Sequence, residues 1–424
     1  MTDALLERLL HPVYNLCLSL LLLIALPKLL WQWWRHGKYR GNISARLGFS
    51  LPKFSPKKGQ TLIWIHSVSM GETKAIIPLF DKMRQFYPDA AIVISTTTET
   101  GQALAKRSMP KADAHFFLPL DFSWSIRRIL NQIQPSLLIL CESDFWYHLL
   151  KMAKDRGVRI ALVNGKISER SCRRFQKIPF FTRRLFANFD LFCLQSELYR
   201  TRFISLNIPP DKIHVTGNLK FDSGKPSNSL CKDLGSFQGQ VLVIGSTHAK
   251  EEDWFLSALD HVWKKIPDLQ VFLVPRHPER FNEVAQLITK HGFPFSRLSE
   301  EGKSHERLIL VDCMGKLNAC YQIATIAIVG GSFTPEVGGH NIFEPVFFGV
   351  PVLFGPYMHN QSDLKELVLS ANAGKEVRID HLPEAVIEIL ENPEIHQKYV
   401  TACHSIATSV QGATERVLKE IAKL

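Results

Sequence analysis

Two runs carry residue types suited to nucleotide chemistry: Pro275-Arg276-His277-Pro278-Glu279-Arg280 and Gly338-Gly339-His340-Asn341-Ile342-Phe343-Glu344-Pro345. Strand-like apolar stretches, Val271-Phe272-Leu273-Val274 and Ile326-Ala327-Ile328-Val329, precede them. Open α/β sheets bind ligands beyond the carboxyl ends of their strands, where helix N-termini offer free N–H groups and partial positive charge. An arginine and a flexible Gly-Gly backbone suit phosphate, and a carboxylate suits ribose hydroxyls. Gly245-Ser246-Thr247-His248 and Asp312-Cys313-Met314-Gly315-Lys316-Leu317 close two further strand-like runs. Each motif alone is weak, because Gly and Ser are default loop residues. Four in succession predict a nucleotide-phosphate site. The chain has neither a Gly-x-Gly-x-x-Gly fingerprint nor a Walker sequence, which argues against a dinucleotide dehydrogenase and a P-loop ATPase.

The N-terminal half offers carboxylates and hydroxyls instead. Leu62-Ile63-Trp64-Ile65 opens into His66-Ser67-Val68-Ser69-Met70-Gly71-Glu72-Thr73, a strand-to-helix turn with Glu72 near the helix start. Glu72 is either a general base or a first-turn carboxylate that interacts with the helix dipole, a role worth under ~1 kcal/mol. Thr96-Thr97-Thr98-Glu99-Thr100-Gly101 and Glu142-Ser143-Asp144-Phe145-Trp146 suit a polyol equally as well as a helix cap. Arg173 and Arg174 lie in a basic stretch interleaved with aromatics that continues to Phe180-Phe181-Thr182-Arg183-Arg184. Such a stretch is either a solvated basic helix or a surface for anionic lipid heads. No DNA- or RNA-binding motif accompanies the charge, so no nucleic-acid partner is expected.

Alternating strands and helices must position these groups. Strands are expected at Thr61–His66, Ala90–Ser95, His115–Leu118, Ser136–Cys141, Val158–Val163 and Asp190–Leu194, with helical periodicity between them. A second series runs Gln240–Gly245, Gln270–Val274, Leu308–Val311, Ile326–Val329 and Pro351–Phe354. This order predicts an α/β protein with two doubly wound, parallel-sheet domains about a cleft. The interval from Gly217 to Gly235, rich in Gly, Ser, Pro, Asn and Lys, reads as a linker. The expected division is 1–34, 35–59 (a basic linker), 60–225 and 226–424. At 424 residues, 46% hydrophobic and 21% charged, the chain can bury two cores. Its formal charge of +11 predicts anionic partners. Eight cysteines without Cys-x-x-Cys read as free thiols, several of them buried. Sixteen histidines without His-x-x-x-His predict no structural metal, and no cofactor is expected.

The first 34 residues read as a membrane anchor. No charge occurs from Pro12 to Pro27, and Lys28 is followed by Leu29-Leu30-Trp31-Gln32-Trp33-Trp34. A bilayer span needs ~20 apolar residues, and tryptophans with a snorkelling lysine belong at its interface. From Lys28 to Gly71 there are eight Lys or Arg and no acidic residue, which by the positive-inside rule places the remainder in the cytoplasm.

Taken in order, His66-Ser67-Val68-Ser69-Met70-Gly71-Glu72, Pro275 to Arg280 and Gly338 to Glu344 resemble the 3-deoxy-D-manno-octulosonic acid (Kdo) transferases of Gram-negative bacteria. The resemblance extends over essentially the whole chain. It implies a GT-B glycosyltransferase fold, an N-terminal inner-membrane anchor and a cytoplasmic active site. The implied reaction transfers Kdo from a CMP-Kdo donor to a lipid A precursor (lipid IVA), without a metal. Glu72 matches the family's proton acceptor. Pro275 and Arg276, Gly315, Lys316 and Leu317, and Asn341, Ile342, Phe343 and Glu344 match its CMP contacts. Ser246, Thr247, Glu142, Arg173 and Arg174 are further candidates for donor or acceptor contact. The chain departs from the common pattern at Lys316 and Ile342-Phe343, which points to a subgroup with its own acceptor chemistry, such as adding more than one Kdo. The alternatives are a GT-B transferase using a UDP-sugar, and a non-catalytic, membrane-tethered binding protein.

Overall fold

The structure is a computed structural model that describes residues 3–36, 42–50, 52, 54, 56–57, 59–222, 239–300 and 306–424. It contains two compact units, one of residues 1–223 with 410–424 and one of residues 224–409. The first unit holds β1 (Leu62–Ser67), β2 (Ala91–Thr96), β3 (Ala114–Phe117), β4 (Leu137–Cys141), β5 (Arg159–Gly165), β6 (Leu191–Leu194) and β7 (Ile213–Val215). The second holds β8 (Val241–Thr247), β9 (Gln270–Pro275), β10 (Ser296–Arg297), β11 (Leu308–Leu310), β12 (Ile326–Val329), β13 (Val352–Phe354) and β14 (Gly374–Glu376). The sequence anticipates eleven of these strands. The other three, β7, β10 and β14, are short and interrupted by His, Ser, Arg, Lys or Glu, so they show no continuous apolar run.

Both sheets are wholly parallel, in the orders β3-β2-β1-β4-β5-β6-β7 and β10-β11-β9-β8-β12-β13-β14. Helices cover both faces, so the central strands are apolar almost throughout rather than alternating. All six residues of β1 are buried. In each sheet the order reverses at one place, between β1 and β4 and between β8 and β12. The crevice beyond the strand ends at such a reversal is the usual ligand site of an open α/β sheet.

Two boundaries expected from the sequence differ in the structure. Leu219–Asp222, read as linker, forms a 3-10 turn of the first unit with Leu219 fully buried. One such turn is too short to show periodicity, so its composition reads as loop. From 223 to its end at 235, that interval lies outside the described residues. The sequence also leaves the last helix, Ala413–Ile421, within 226–424, whereas it belongs to the first unit. Its Val417, Leu418 and Ile421 join the core formed by Ile76, Leu79 and Met83. The Asp222 carboxylate accepts from Gly412 N and Thr414 N, and Arg416 Nε donates to Thr216 O at 2.8 Å.

The N-terminal helix spans Asp3–His36. It includes one stretch, Leu10–Lys28, that is long and apolar enough to cross a membrane, with a mean hydropathy of 1.7. One face of its N-terminal part docks on the first unit. Asn15 Nδ2 donates to Ser123 Oγ (2.9 Å), His11 stacks on His148, and Tyr14 packs on Tyr147 and Phe181. Leu16, Leu20, Leu21, Leu23 and Ile24 remain more than half exposed.

The described cysteines are free, and Cys141 and Cys193 are buried in β4 and β6 as expected; Cys231 lies outside the described residues.

Candidate active site

In the first unit, Ser69 caps the helix Met70–Phe86 by accepting from Glu72 N through its side chain. The Glu72 carboxylate folds back in turn, accepting from Val68 N (2.6 Å) and Ser69 Oγ (3.1 Å). This is a capping-box arrangement, so the bland role is real. It also fixes the carboxylate at the end of β1, on the sheet's reversal. Burial raises the Glu72 pKa, and the charge of Glu142 adds to the rise against the Val68 N–H bond. No lysine or arginine pairs with Glu72 among the described residues.

Glu142 follows β4, the neighbouring strand across that reversal. It is buried and held at φ +63°, a strained conformation for a non-glycine residue. Its oxygens meet Lys166 Nζ at 2.7 Å and Lys220 Nζ at 2.9 Å. Burial pushes its pKa up, but the two lysines outweigh burial and hold it below the ordinary value. Asn164, at φ +53°, donates to Glu142 Oε1 at 3.4 Å and accepts from Leu219 N, fixing the turn that carries Lys220.

Asp144 is buried, and its carboxyl pKa is raised to about 9 by burial and by Glu72 and Glu142. His66 Nε2 lies 3.8 Å from Asp144 Oδ2, and neither atom has a hydrogen-bond partner. His66 Nδ1 lies 2.8 Å from Ser95 Oγ, which also accepts from Trp64 Nε1. Burial holds the His66 pKa down at about 3. The His66–Asp144 pair is therefore uncharged at neutral pH. With Asp144 protonated, the ion pairs of this group are those of Glu142 with Lys166 and Lys220. The sequence points to Glu72 and Glu142 but misses Lys166 and Lys220, which are separated in the chain and meet Glu142 only through the fold.

Arg173 and Arg174 do not join this group by any ion pair or hydrogen bond among the described residues. Both are exposed on the helix Glu169–Gln176, where Arg173 pairs with Glu169 one turn earlier. The adjacent helix Pro179–Phe186 carries Phe181, which meets Tyr14 of the N-terminal helix, and Arg184, which lies over Phe180.

In the second unit the predicted nucleotide residues gather at strand ends. Pro275 ends β9, and Arg276 follows it, exposed and without a side-chain partner among the described residues. Gly315 precedes Lys316, the N-cap of the helix Leu317–Ile323. Asn341 Oδ1 accepts from Phe343 N, and its Nδ2 donates to Glu344 Oε1 at 3.4 Å. Ile342 and Phe343 are buried, so only their backbone can face a ligand. Ser246 sits at φ +56° where the β8–β9 register shifts, and Thr247 Oγ1 is taken by Glu252 at 2.9 Å.

Sequence reading also misses Glu251. Fully buried, it accepts from Gly331 N (2.7 Å), Phe333 N (3.0 Å) and His248 N (3.1 Å), joining the loops after β8 and β12. Its nearest signal is the acidic pair opening the helix Glu251–Lys265.

The family described as 3-deoxy-D-manno-octulosonic-acid transferase (kdotransferase) matches residues 41–223. The 3-deoxy-D-manno-octulosonic acid transferase of Chlamydia trachomatis serovar A is 36% identical over 397 residues, covering 92% of this chain and 91% of that protein. Its namesake in Haemophilus influenzae is 33% identical over 394 residues, 90% and 91% of the two chains. Among solved structures, UDP-GlcNAc 2-epimerase from Neisseria meningitidis aligns with a TM-score of 0.62 at 12% identity, over 86% of this chain and all of that one. At that identity the likeness is one of fold, the GT-B architecture of two doubly wound units. With about a third of its residues shared across nine-tenths of its length, the chain belongs to the 3-deoxy-D-manno-octulosonic acid transferase family and is a glycosyltransferase.

Proposed function

We propose that the protein transfers Kdo from CMP-Kdo to a lipid A precursor such as lipid IVA, with inversion at the anomeric carbon and Glu72 as general base. The observation that carries this reading is the division of labour among the carboxylates of the first unit. Glu142 is neutralised by two lysines, Asp144 keeps its proton, and Glu72 is oriented, partly buried and raised in pKa. A raised pKa makes the Glu72 carboxylate a better acceptor for the proton of a sugar hydroxyl. As the acceptor oxygen bonds to the anomeric carbon, its proton passes to Glu72, the sugar–phosphate bond breaks and CMP leaves with the electron pair. Arg276, the backbone around Gly315, and Glu344 supply phosphate and ribose contacts. The departures at Lys316 and Ile342-Phe343 fit a subgroup that adds more than one Kdo.

Incubation with CMP-Kdo and lipid IVA is expected to release CMP only when the lipid is present, with products heavier by one or more Kdo units on mass spectrometry. CMP is expected to raise the thermal unfolding midpoint, and UDP is not. Stabilisation by UDP alone, without lipid-dependent CMP release, would transfer the assignment to a UDP-sugar enzyme.

The same reading makes residues 1–34 the anchor at the inner membrane and puts the rest of both units in the cytoplasm. Leu16, Leu20, Leu21, Leu23 and Ile24 present apolar side chains that are more than half exposed, and such a patch calls for a non-aqueous surrounding. Protease added to intact spheroplasts is expected to leave the catalytic units uncut. Digestion from outside would reverse the topology.

A further inference from the structure

His248 follows β8 and His340 lies in the loop after β12, so the two face each other across the reversal of the second sheet. Their Nε2 atoms are 2.7 Å apart, and the rings stack with centroids 5.0 Å apart and planes 15° from parallel. Nothing in the sequence marks them as a pair, since 92 positions separate them. The geometry is built in from both sides. Backbone N–H groups of His248 and Gly331 share the Glu251 carboxylate. Gly331 adopts φ +69°, and a Cβ there would come within 2.6 Å of the His340 ring, so only glycine lets the ring sit so close.

Two ring nitrogens at that distance share one hydrogen. One ring donates through Nε2 and keeps a bare Nδ1; the other accepts at Nε2 and carries its hydrogen on Nδ1. Protonating both rings would set N–H against N–H, so the pair holds at most one positive charge.

Its surroundings are cationic. From β9 and the turn after it, Arg276, His277 and Arg280 face His248, with the His277 ring edge-on at 5.1 Å. Arg276 and His277 also face His340. Arg280 is already paired with Glu252 and Glu283, and Lys250 with Glu336. The buried Glu251 is committed to three backbone N–H groups. The free charge facing the pair is thus the positive charge of Arg276, with no uncommitted carboxylate opposite among these groups. Burial, followed by these positive neighbours, holds both imidazoles near a pKa of about 4, so the dyad itself is uncharged at neutral pH.

We propose that the His248–His340 pair is a seat for an anionic group of the donor, and that it takes up a proton from solvent as that anion binds. The inference rests on the reading that the second unit binds a cytidine nucleotide. The added proton enters at the bare Nδ1 of the donating ring. That ring becomes an imidazolium while the Nε2–H···Nε2 bond to its neighbour persists. An anion offsets the charge of Arg276, which together with burial keeps the pair neutral, and so shifts the balance towards taking up the proton. The anion is either the phosphate or the sugar carboxylate.

Calorimetric titration of the full-length, detergent-solubilised protein, near neutral pH in buffers of different ionisation enthalpy, counts the protons taken up. Wild type is expected to take up about half a proton or more per CMP beyond either His248→Asn or His340→Asn. Titration of the phosphate itself is common to all and cancels in that difference. Each variant is expected to bind CMP about three- to tenfold more weakly, and cytidine should give no uptake. Uptake with CMP assigns the phosphate, and uptake only with CMP-Kdo assigns the carboxylate; either upholds the seat. Gln variants at both positions keep the comparison available if an Asn variant does not fold. Binding with equal proton uptake in wild type and variants overturns the seat and leaves the nucleotide site standing. Failure of both CMP and CMP-Kdo to bind overturns the nucleotide reading and the seat with it.

Discussion

Glu72→Gln is expected to lower the rate of sugar transfer by ~10²–10⁴ while CMP affinity stays nearly unchanged. The structure makes this a sharp test, because Glu72 performs the capping role as well as being placed for catalysis. Glutamine retains a carbonyl oxygen that can accept from Val68 N, so the start of the helix Met70–Phe86 is largely preserved. A pure capping role predicts a stability loss of under ~1 kcal/mol and near-normal turnover. A base predicts the opposite pattern, a folded protein that binds nucleotide and does not transfer. The raised pKa adds a pH signature. Only ionised Glu72 can accept a proton, so kcat/KM should fall on the acid side through a pKa above the ordinary 4.5 of a glutamate. An acid limb at or below that value, or a Gln variant near wild-type rate, would leave Glu72 a cap alone.

The second large effect is expected at Arg276. Its guanidinium is exposed and has no internal partner among the described residues, so truncation leaves no stranded charge and should not disturb folding. A charge-assisted bond to phosphate contributes roughly 1.5–3 kcal/mol, so Arg276→Ala should weaken CMP binding about ten- to a hundredfold, with the thermal midpoint of the unliganded protein unchanged. Unaltered CMP affinity in that variant would remove Arg276 from the phosphate site.

The two carboxylates at the first reversal, Glu72 and Glu142, were legible because Glu142 directly follows an apolar strand and Glu72 lies in the helical turn that opens after another. Their lysines were not. Lys166 follows β5 and Lys220 stands in a turn that reads as linker, and both reach Glu142 only because β5 lies beside β4 and Asn164 holds the turn down. Arg173 and Arg174 show the converse. Their local pattern suggests a ligand surface, yet no contact among the described residues links them to the carboxylates, because charge density along a helix does not encode where that helix packs.

The sequence alone determined the two doubly wound units, the parallel sheets, the apolar N-terminal helix and the strand ends where chemistry sits. These follow from local periodicity, from Gly, Ser and Thr at turns, and from continuous apolar strands, all of which act over a few residues. Tertiary structure decided the rest. It placed the last helix on the first unit, paired His248 with His340 across 92 positions, and raised the pKa values of Glu72 and Asp144 while lowering that of Glu142. Sheet order selects which strand ends become neighbours, and a carboxyl's charge depends on burial and on neighbours that the chain brings together only when it folds.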